Sequence, residues 1–268
     1  MDRAVVHRAS AGTVLVGAAR ADGQRTWHLP VTVPPLTAAR PGDRLPLLHG
    51  VEVFRQSGLV VAHQGFQVPT DFRFTIQDIA FGWADGAMPR LPGDGPFVAA
   101  AHVRVVEHHE RRGTTAGLRV EVDVVDDAGP VAAGGGLLRC MSPKHYRALR
   151  RHAPDPAAAP RRRDPDGLRD VERGSAGLRA HLGWNDADPL LFDHATDHVS
   201  GLVMMSAAVR AAELLADGRE VRHVAMAYER FVEYEPEPEL RADFVDDVVA
   251  VRVEQAGTVA ATGTCRVG

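Results

Sequence analysis

Apolar positions along this chain follow one plan performed twice. Every second residue is apolar in LRVEVDVV (Leu118–Val125) and again in VVAVRVEQ (Val248–Gln255), the period of a half-buried β-strand. A nearly repeated segment follows each run: AGPVAAGG (Ala128–Gly135) and, 128 residues later, AGTVAATG (Ala256–Gly263). An Ala-Gly pair after an alternating strand marks a tight turn. Each segment therefore predicts a β-hairpin whose second strand runs to Cys140 or Cys265. Upstream of each hairpin lies a run that is apolar on nearly every side, LLHGVEVFRQSGLVVAHQ (Leu47–Gln64) and SGLVMMSAAVRAAELLAD (Ser200–Asp217). A helix of that kind is enclosed by other elements.

The repeated order is strand, helix, then several antiparallel strands. A sheet wrapped around one buried helix is the hotdog architecture, so the pattern predicts an α+β double hotdog. Its expected parts are an N-terminal hotdog over 1–151, a linker over 152–170 and a C-terminal hotdog over 171–268. The linker contains HAPDPAAAPRRRDPDG (His152–Gly167), rich in Pro, Ala, Arg and Asp without hydrophobic periodicity. Single hotdogs pair with their active sites at the junction of two helices. A tandem chain carries both halves, which leaves monomer and homodimer open.

Composition narrows the setting. At 268 residues, with 45% hydrophobic and 25% charged residues, the chain suits a globular protein with a proper core. A net charge of -4 argues against a generally basic nucleic-acid surface. Lys144 is the sole lysine among 31 basic residues, a coding bias before it is a functional signal. Cys140 and Cys265 lie far apart without metal-ligand spacing, which points to a reducing compartment. The first residues have no apolar core of signal-peptide length, and no run approaches a membrane span. The expectation is a cytoplasmic protein with no membrane or nucleic-acid partner.

Candidate chemistry gathers at the two helices. Asp193, His194, Asp197 and His198 fall within six residues, followed by Ser200-Gly201 and the second helix. A loop of imidazoles running into a helix N-terminus suits a carbonyl or thioester. Amides and the helix dipole can hold an oxyanion while a histidine moves protons. The same residues would also serve as a plain helix cap, through Asp197 or Ser200. On the first helix, Glu52 and Arg55 share a face at i and i+3 among Val51, Val53, Phe54, Leu59 and Val60. A buried carboxylate kept ionised by an arginine is a candidate general base; an ion pair of structural value alone is the alternative. The run His108-His109-Glu110-Arg111-Arg112 reads as a solvated loop.

Four segments resemble one family. FDHATDHVSGLV (Phe192–Val203) is similar to the FDHxxDHVPGMV signature of the A-factor synthase family, the γ-butyrolactone synthases of actinobacteria. VEVFRQSGLVVAHQGFQVP (Val51–Pro69), LRCMSPKHYRALR (Leu138–Arg150) and His7-Arg8 resemble its other motifs in the same order. The resemblance spans nearly the whole chain, apart from the linker and residues 82–100. It implies a tandem hotdog that takes a β-ketoacyl thioester, on acyl carrier protein or coenzyme A. The acceptor it implies is dihydroxyacetone phosphate or a compound like it, and it implies no cofactor and no metal. The candidates so gathered are Glu52, Arg55, His194 and His198 for catalysis, and Gln56, His63, Asp197, Gly201, Ser206 and Arg210 for substrate binding. Asp78 matches a family position just before a strand. Arg55, Arg73 and Arg210 are candidates for a phosphate or a phosphopantetheine arm.

The second half departs from the pattern. Where the family has glutamate and arginine on the helix, this chain has Ser206 and Val209, and Ser200 replaces the motif's proline. Arg210 lies one residue further, roughly 100° around the helix, so it does not replace Val209. Either Glu52 and the histidines form one composite site, or the second half has become structural or moved to related chemistry. The rival functions are a hotdog dehydratase, hydratase or thioesterase, and a non-catalytic acyl-binding or partner protein.

Overall fold

Both alternating segments fold as the hairpins their period predicts. The computed structural model describes every residue except 37–39, 41, 86–88, 154, 156–160, 165–166 and 176, and the described chain divides into two units, Met1–Leu149 and Arg150–Gly268.

In the first unit the strands are β1 (Arg20–Ala21), β2 (Thr26–Val33), β3 (Arg73–Trp83), β4 (Phe97–Arg111), β5 (Thr114–Asp126) and β6 (Gly129–Met141). They pair antiparallel in the order β1-β2-β4-β5-β6-β3. Helix α1 (Leu47–Val60) packs against β2 through β6, and a π-helical turn, Val61–Gly65, prolongs it. Short helix α2 (Pro143–Leu149) closes the unit.

The second unit has β7 (Leu168–Arg173), β8 (Gly177–Leu182), β9 (Val221–Tyr228), β10 (Glu239–Val245), β11 (Val248–Gln255) and β12 (Thr258–Val267). Their order is β9-β12-β11-β10-β8-β7, antiparallel throughout, around helix α3 (Gly201–Leu215). A sheet wrapped on one buried helix thus occurs in each unit, as the double-hotdog pattern requires. Among the described residues no helix is long and apolar enough to cross a membrane.

Glycines let α1 lie close to its sheet. An added Cβ on Gly136 would sit 2.5 Å from the Asp78 carbonyl oxygen and 3.3 Å from the Phe54 ring. One on Gly134 would meet Phe81 at 2.8 Å and the Ala80 oxygen at 2.9 Å. With no side chains there, Phe54 becomes fully buried, which stabilises the unit by about 2–3 kcal/mol relative to exposure.

Three expectations need correction. The first hairpin turns on Asp127-Ala128, since Asp126 pairs with Gly129, one residue ahead of the expected Ala128-Gly129. The Asp126 Oδ1 sets this by accepting from the Ala128 N–H (2.8 Å) and the Gly129 N–H (3.2 Å). The second hairpin does turn on Ala256-Gly257, whose φ values of 49° and 73° are those of a two-residue left-handed turn. Secondly, Asp78 lies inside β3 and takes a two-point ion pair from Arg119 (2.8 and 3.0 Å). Thirdly, His108 to Arg111 belong to β4, because pairing with β5 carries the ladder to its end at Arg111–Thr114.

Candidate functional site

The polar residues of α1 hold one object, the N-terminal segment. That segment opens with a 3-10 turn, Arg3–Val6, whose cap Asp2 accepts from the Ala4 N–H. It ends at His7 with φ 53°, a left-handed bend that redirects the chain along the helix. A second 3-10 turn, Ala11–Thr13, follows. Gln56 staples it, accepting from the Leu15 N–H (2.8 Å) and donating to the Thr13 carbonyl (2.7 Å). Arg55 donates to the Val6 carbonyl (3.2 Å), and Gln64 accepts from the Ala19 N–H (3.0 Å). The residues used lie at 52, 55, 56, 63 and 64, so helical spacing keeps them on the side that the segment crosses.

Glu52 sits at the centre with 0% exposure. Its Oε1 has Arg8 Nε at 2.9 Å, Arg8 Nη2 at 2.6 Å, Arg55 Nη2 at 2.7 Å and Gln56 Nε2 at 2.6 Å; its Oε2 has Arg55 Nε at 2.7 Å. Burial alone would raise the Glu52 pKa, but the charges and hydrogen bonds of Arg55, Arg8 and Gln56 outweigh it, and the net direction is down. A carboxylate in this state is a counter-ion. Two cations hold its proton affinity low and five nitrogens occupy its lone-pair sites, so it is poorly suited to take a substrate proton.

His63 sits where α1 becomes π-helical. Its Nδ1 lies 2.6 Å from the Val68 carbonyl, which can only accept, so Nδ1 carries the hydrogen. Burial lowers the His63 pKa against the opposing pull of Val68, which favours the neutral ring. In that form the His63 Nε2 accepts from the His7 Nε2–H at 3.1 Å, and Phe74 edges onto both rings.

In the second unit the approach loop to α3 builds an Asp-His pair. His198 Nδ1 donates to Asp197 Oδ1 at 2.6 Å, since a carboxylate only accepts, and this leaves the lone pair on Nε2. The His198 side chain is 23% exposed and rests edge-on against Phe231 (4.8 Å). Asp197 Oδ2 and the Asp197 carbonyl accept from Arg150 at 3.2 and 2.7 Å. Thr196 bridges to Tyr234, and Val199 pairs with Val232, which fixes the loop on both sides of the dyad. Ser200 caps α3 by accepting from the Val203 N–H (3.3 Å), as its residue type suggests. Tyr228 donates to the Gly201 carbonyl (3.0 Å), and a Cβ on Gly201 would press on the Tyr228 ring at 3.1 Å. Gly201 is what allows the helix to begin this close to β9.

The other expected residues fall outside this pair. The His194 side chain is 52% exposed, its Nδ1 4.0 Å from Asp193 Oδ2. Asp193, His194, Asp197 and His198 form no group able to hold a metal among the described residues. Ser206 is half-buried on α3, and Arg210 turns toward Glu213 (3.5 Å), whose carboxyl is pushed up by burial. Sequence reasoning passed over Arg8 and Arg150 as site residues. Their one signal was membership of segments that resemble the family; their partners lie 44 to 83 residues away.

The family model described as the A-factor biosynthesis hotdog domain matches residues 1–142. The chain is similar to the 2-oxo-3-(phosphooxy)propyl 3-oxoalkanoate synthase of Streptomyces virginiae, 30% identical over 188 residues that make up 65% of this chain and 62% of that protein. The protein of the same name from Streptomyces coelicolor is 29% identical over 214 residues, 75% of this chain and 66% of that one. The matches thus span less than two thirds of these relatives' own length. Two solved structures share the fold at low identity. The 12:0-ACP thioesterase from Umbellularia californica has a TM-score of 0.55 at 12% identity, covering 92% of this chain and 98% of its own. The dehydratase domain from the CurK module of curacin polyketide synthase has a TM-score of 0.54 at 10% identity, covering 95% and 97%.

Proposed function

The chain belongs to the A-factor biosynthesis hotdog domain family, and we propose that it transfers a β-ketoacyl group from a thioester to the hydroxyl of a dihydroxyacetone phosphate-like acceptor. The relatives' name describes the product of such a transfer, a 3-oxoalkanoate ester of a phosphooxypropyl group. The observation that carries the reading is the Asp197–His198 pair at the head of α3. In the proposed step His198 Nε2 takes the acceptor's hydroxyl proton as its oxygen attacks the thioester carbonyl. Asp197 stabilises the imidazolium that forms. The first amides of α3, those of Gly201 and Leu202, precede any intrahelical partner and suit the oxyanion. Collapse expels the thiolate, which takes the proton back from His198 and leaves the phosphorylated ester.

Within the first unit Glu52 serves as an electrostatic frame that holds Arg8 and Arg55 in place. Gln56 and His63 support that frame through the N-terminal segment. His194, on the solvated part of the loop, suits contact with the carrier or acceptor more than proton transfer.

The same dyad activates water in the thioesterase reading, so product mass decides between them. Incubation of a β-ketoacyl carrier-protein thioester with dihydroxyacetone phosphate is expected to give the phosphorylated ester by mass spectrometry. His198→Asn is expected to slow its formation about a hundredfold with the fold intact. Free acid or enoyl product without ester would overturn the transfer reading, and no turnover at all would favour a binding protein.

A further inference from the structure

On the reading that His198 moves the substrate proton, we infer that Arg150 is a positioning residue, which pins Asp197 so that His198 is held with its hydrogen on Nδ1 and its lone pair on Nε2.

Asp197 and His198 are neighbours in the chain. They lie in a bend of the loop, and a 2.6 Å bond between adjacent side chains holds its geometry only where a further group fixes the carboxylate. Arg150 is that group. Its Nε reaches Asp197 Oδ2 (3.2 Å) and its Nη2 reaches the Asp197 carbonyl (2.7 Å), so it grips side chain and backbone of one residue at once. The grip occupies Oδ2 and leaves Oδ1 for the imidazole.

Arg150 is in turn fixed. Its side chain is only 8% exposed, and Glu233 takes a two-point contact from it, at 2.5 and 2.9 Å. Glu233 hangs from β11: the Gln255 amide accepts from the Glu233 N–H (2.8 Å) and donates to the Glu233 carbonyl (2.7 Å). Two residues earlier Phe231 places its ring 4.5 Å from the guanidinium and against the His198 edge. A single segment, Phe231–Glu233, therefore supports both the arginine and the histidine. Charge agrees with this arrangement. Glu233 neutralises Arg150, so the charge of Asp197 is available to the imidazolium formed when His198 takes a proton. Burial alone would lower the Arg150 pKa, but its bonds to Glu233 and Asp197 outweigh it and keep the guanidinium charged. Lysine could not substitute, since one ammonium does not reproduce a planar fork that spans two carboxylates.

The test reads the imidazole itself. Long-range nitrogen–proton NMR spectra of the full chain labelled with 15N-histidine, assigned with His198→Asn, report which ring nitrogen of neutral His198 bears the hydrogen. The wild type is expected to show Nδ1–H. Arg150→Gln is expected to populate Nε2–H and to lower kcat roughly tenfold to a hundredfold with little change in KM, and Arg150→Lys is expected to restore only part of either. A folded Arg150→Gln protein with an unchanged His198 tautomer overturns the inference. Should Arg150→Gln fail to fold, Glu233→Gln loosens the same clamp from its far side, and an unchanged tautomer there overturns it equally. A shifted tautomer in a protein whose wild type makes no ester would sink the transfer reading and leave the positioning role standing.

Discussion

At the scale of single residues, Glu52 shows how much of a side chain's setting lies outside its local sequence. Glu52 reads from sequence as a general base, because a buried carboxylate beside an arginine fits both base and counter-ion. The structure adds Arg8 as a second cation, and nothing local to Glu52 announces an arginine 44 residues earlier. Glu52→Gln is therefore expected to leave two arginines, one of them buried, without their counter-ion and to cost about 3 kcal/mol in urea unfolding at neutral pH. A variant as stable as wild type would show that the pair contributes nothing. The pH dependence has a definite sign. The Glu52 pKa is lowered in the folded state, so its stabilisation is present above the unfolded carboxylate value, about 4.3, and is lost as pH falls through the lower folded value. The gap between wild type and Glu52→Gln is expected to narrow on that acid limb.

At the scale of elements, period and turn chemistry carry most of the fold. Alternation over Leu118–Val125 and Val248–Gln255 marks strands that the structure keeps, and the two apolar runs become α1 and α3 nearly over their expected lengths. The departures arise where a side chain competes with the pattern. Asp126 moved one turn, and β5 carried the charged end of β4 into the sheet. The N-terminal segment was illegible for a different reason: 3-10 turns held by Gln56 and Arg55 have no periodicity of their own. Close approach of β3 to β6 gives a test at adjacent positions. Gly136→Ala would drive a Cβ into the Asp78 carbonyl at 2.5 Å, whereas the nearest atom to a Cβ on Gly135 is 3.6 Å away. The first is expected to cost about 1–3 kcal/mol in chemical denaturation and the second about 0.5 kcal/mol or less. Equal costs would mean that β6 shifts to make room.

At the scale of the whole molecule, each unit carries one buried thiol, Cys140 in the first and Cys265 in the second. Burial pushes both up to about 12, with Glu213 adding to the effect at Cys265. Neither is expected to react with iodoacetamide in native protein at pH 8, and each is expected to become reactive only as its own unit opens. Labelling read by mass spectrometry across a urea series follows the two units separately; rapid native labelling of either cysteine would show that its unit opens without denaturant. The N-terminal segment, finally, bears on how differently the two helices tolerate change. Glu52, Arg55 and Gln56 serve a strap that crosses α1, and with Arg8 they form a set in which the carboxylate cannot be lost first without stranding two cations. At the matching positions α3 has Ser206, Val209 and Arg210, of which the arginine turns to Glu213 on its own helix. In the first half any one of these four residues can change only together with its partners, whereas a substitution at Ser206 or Val209 on α3 breaks up no such set.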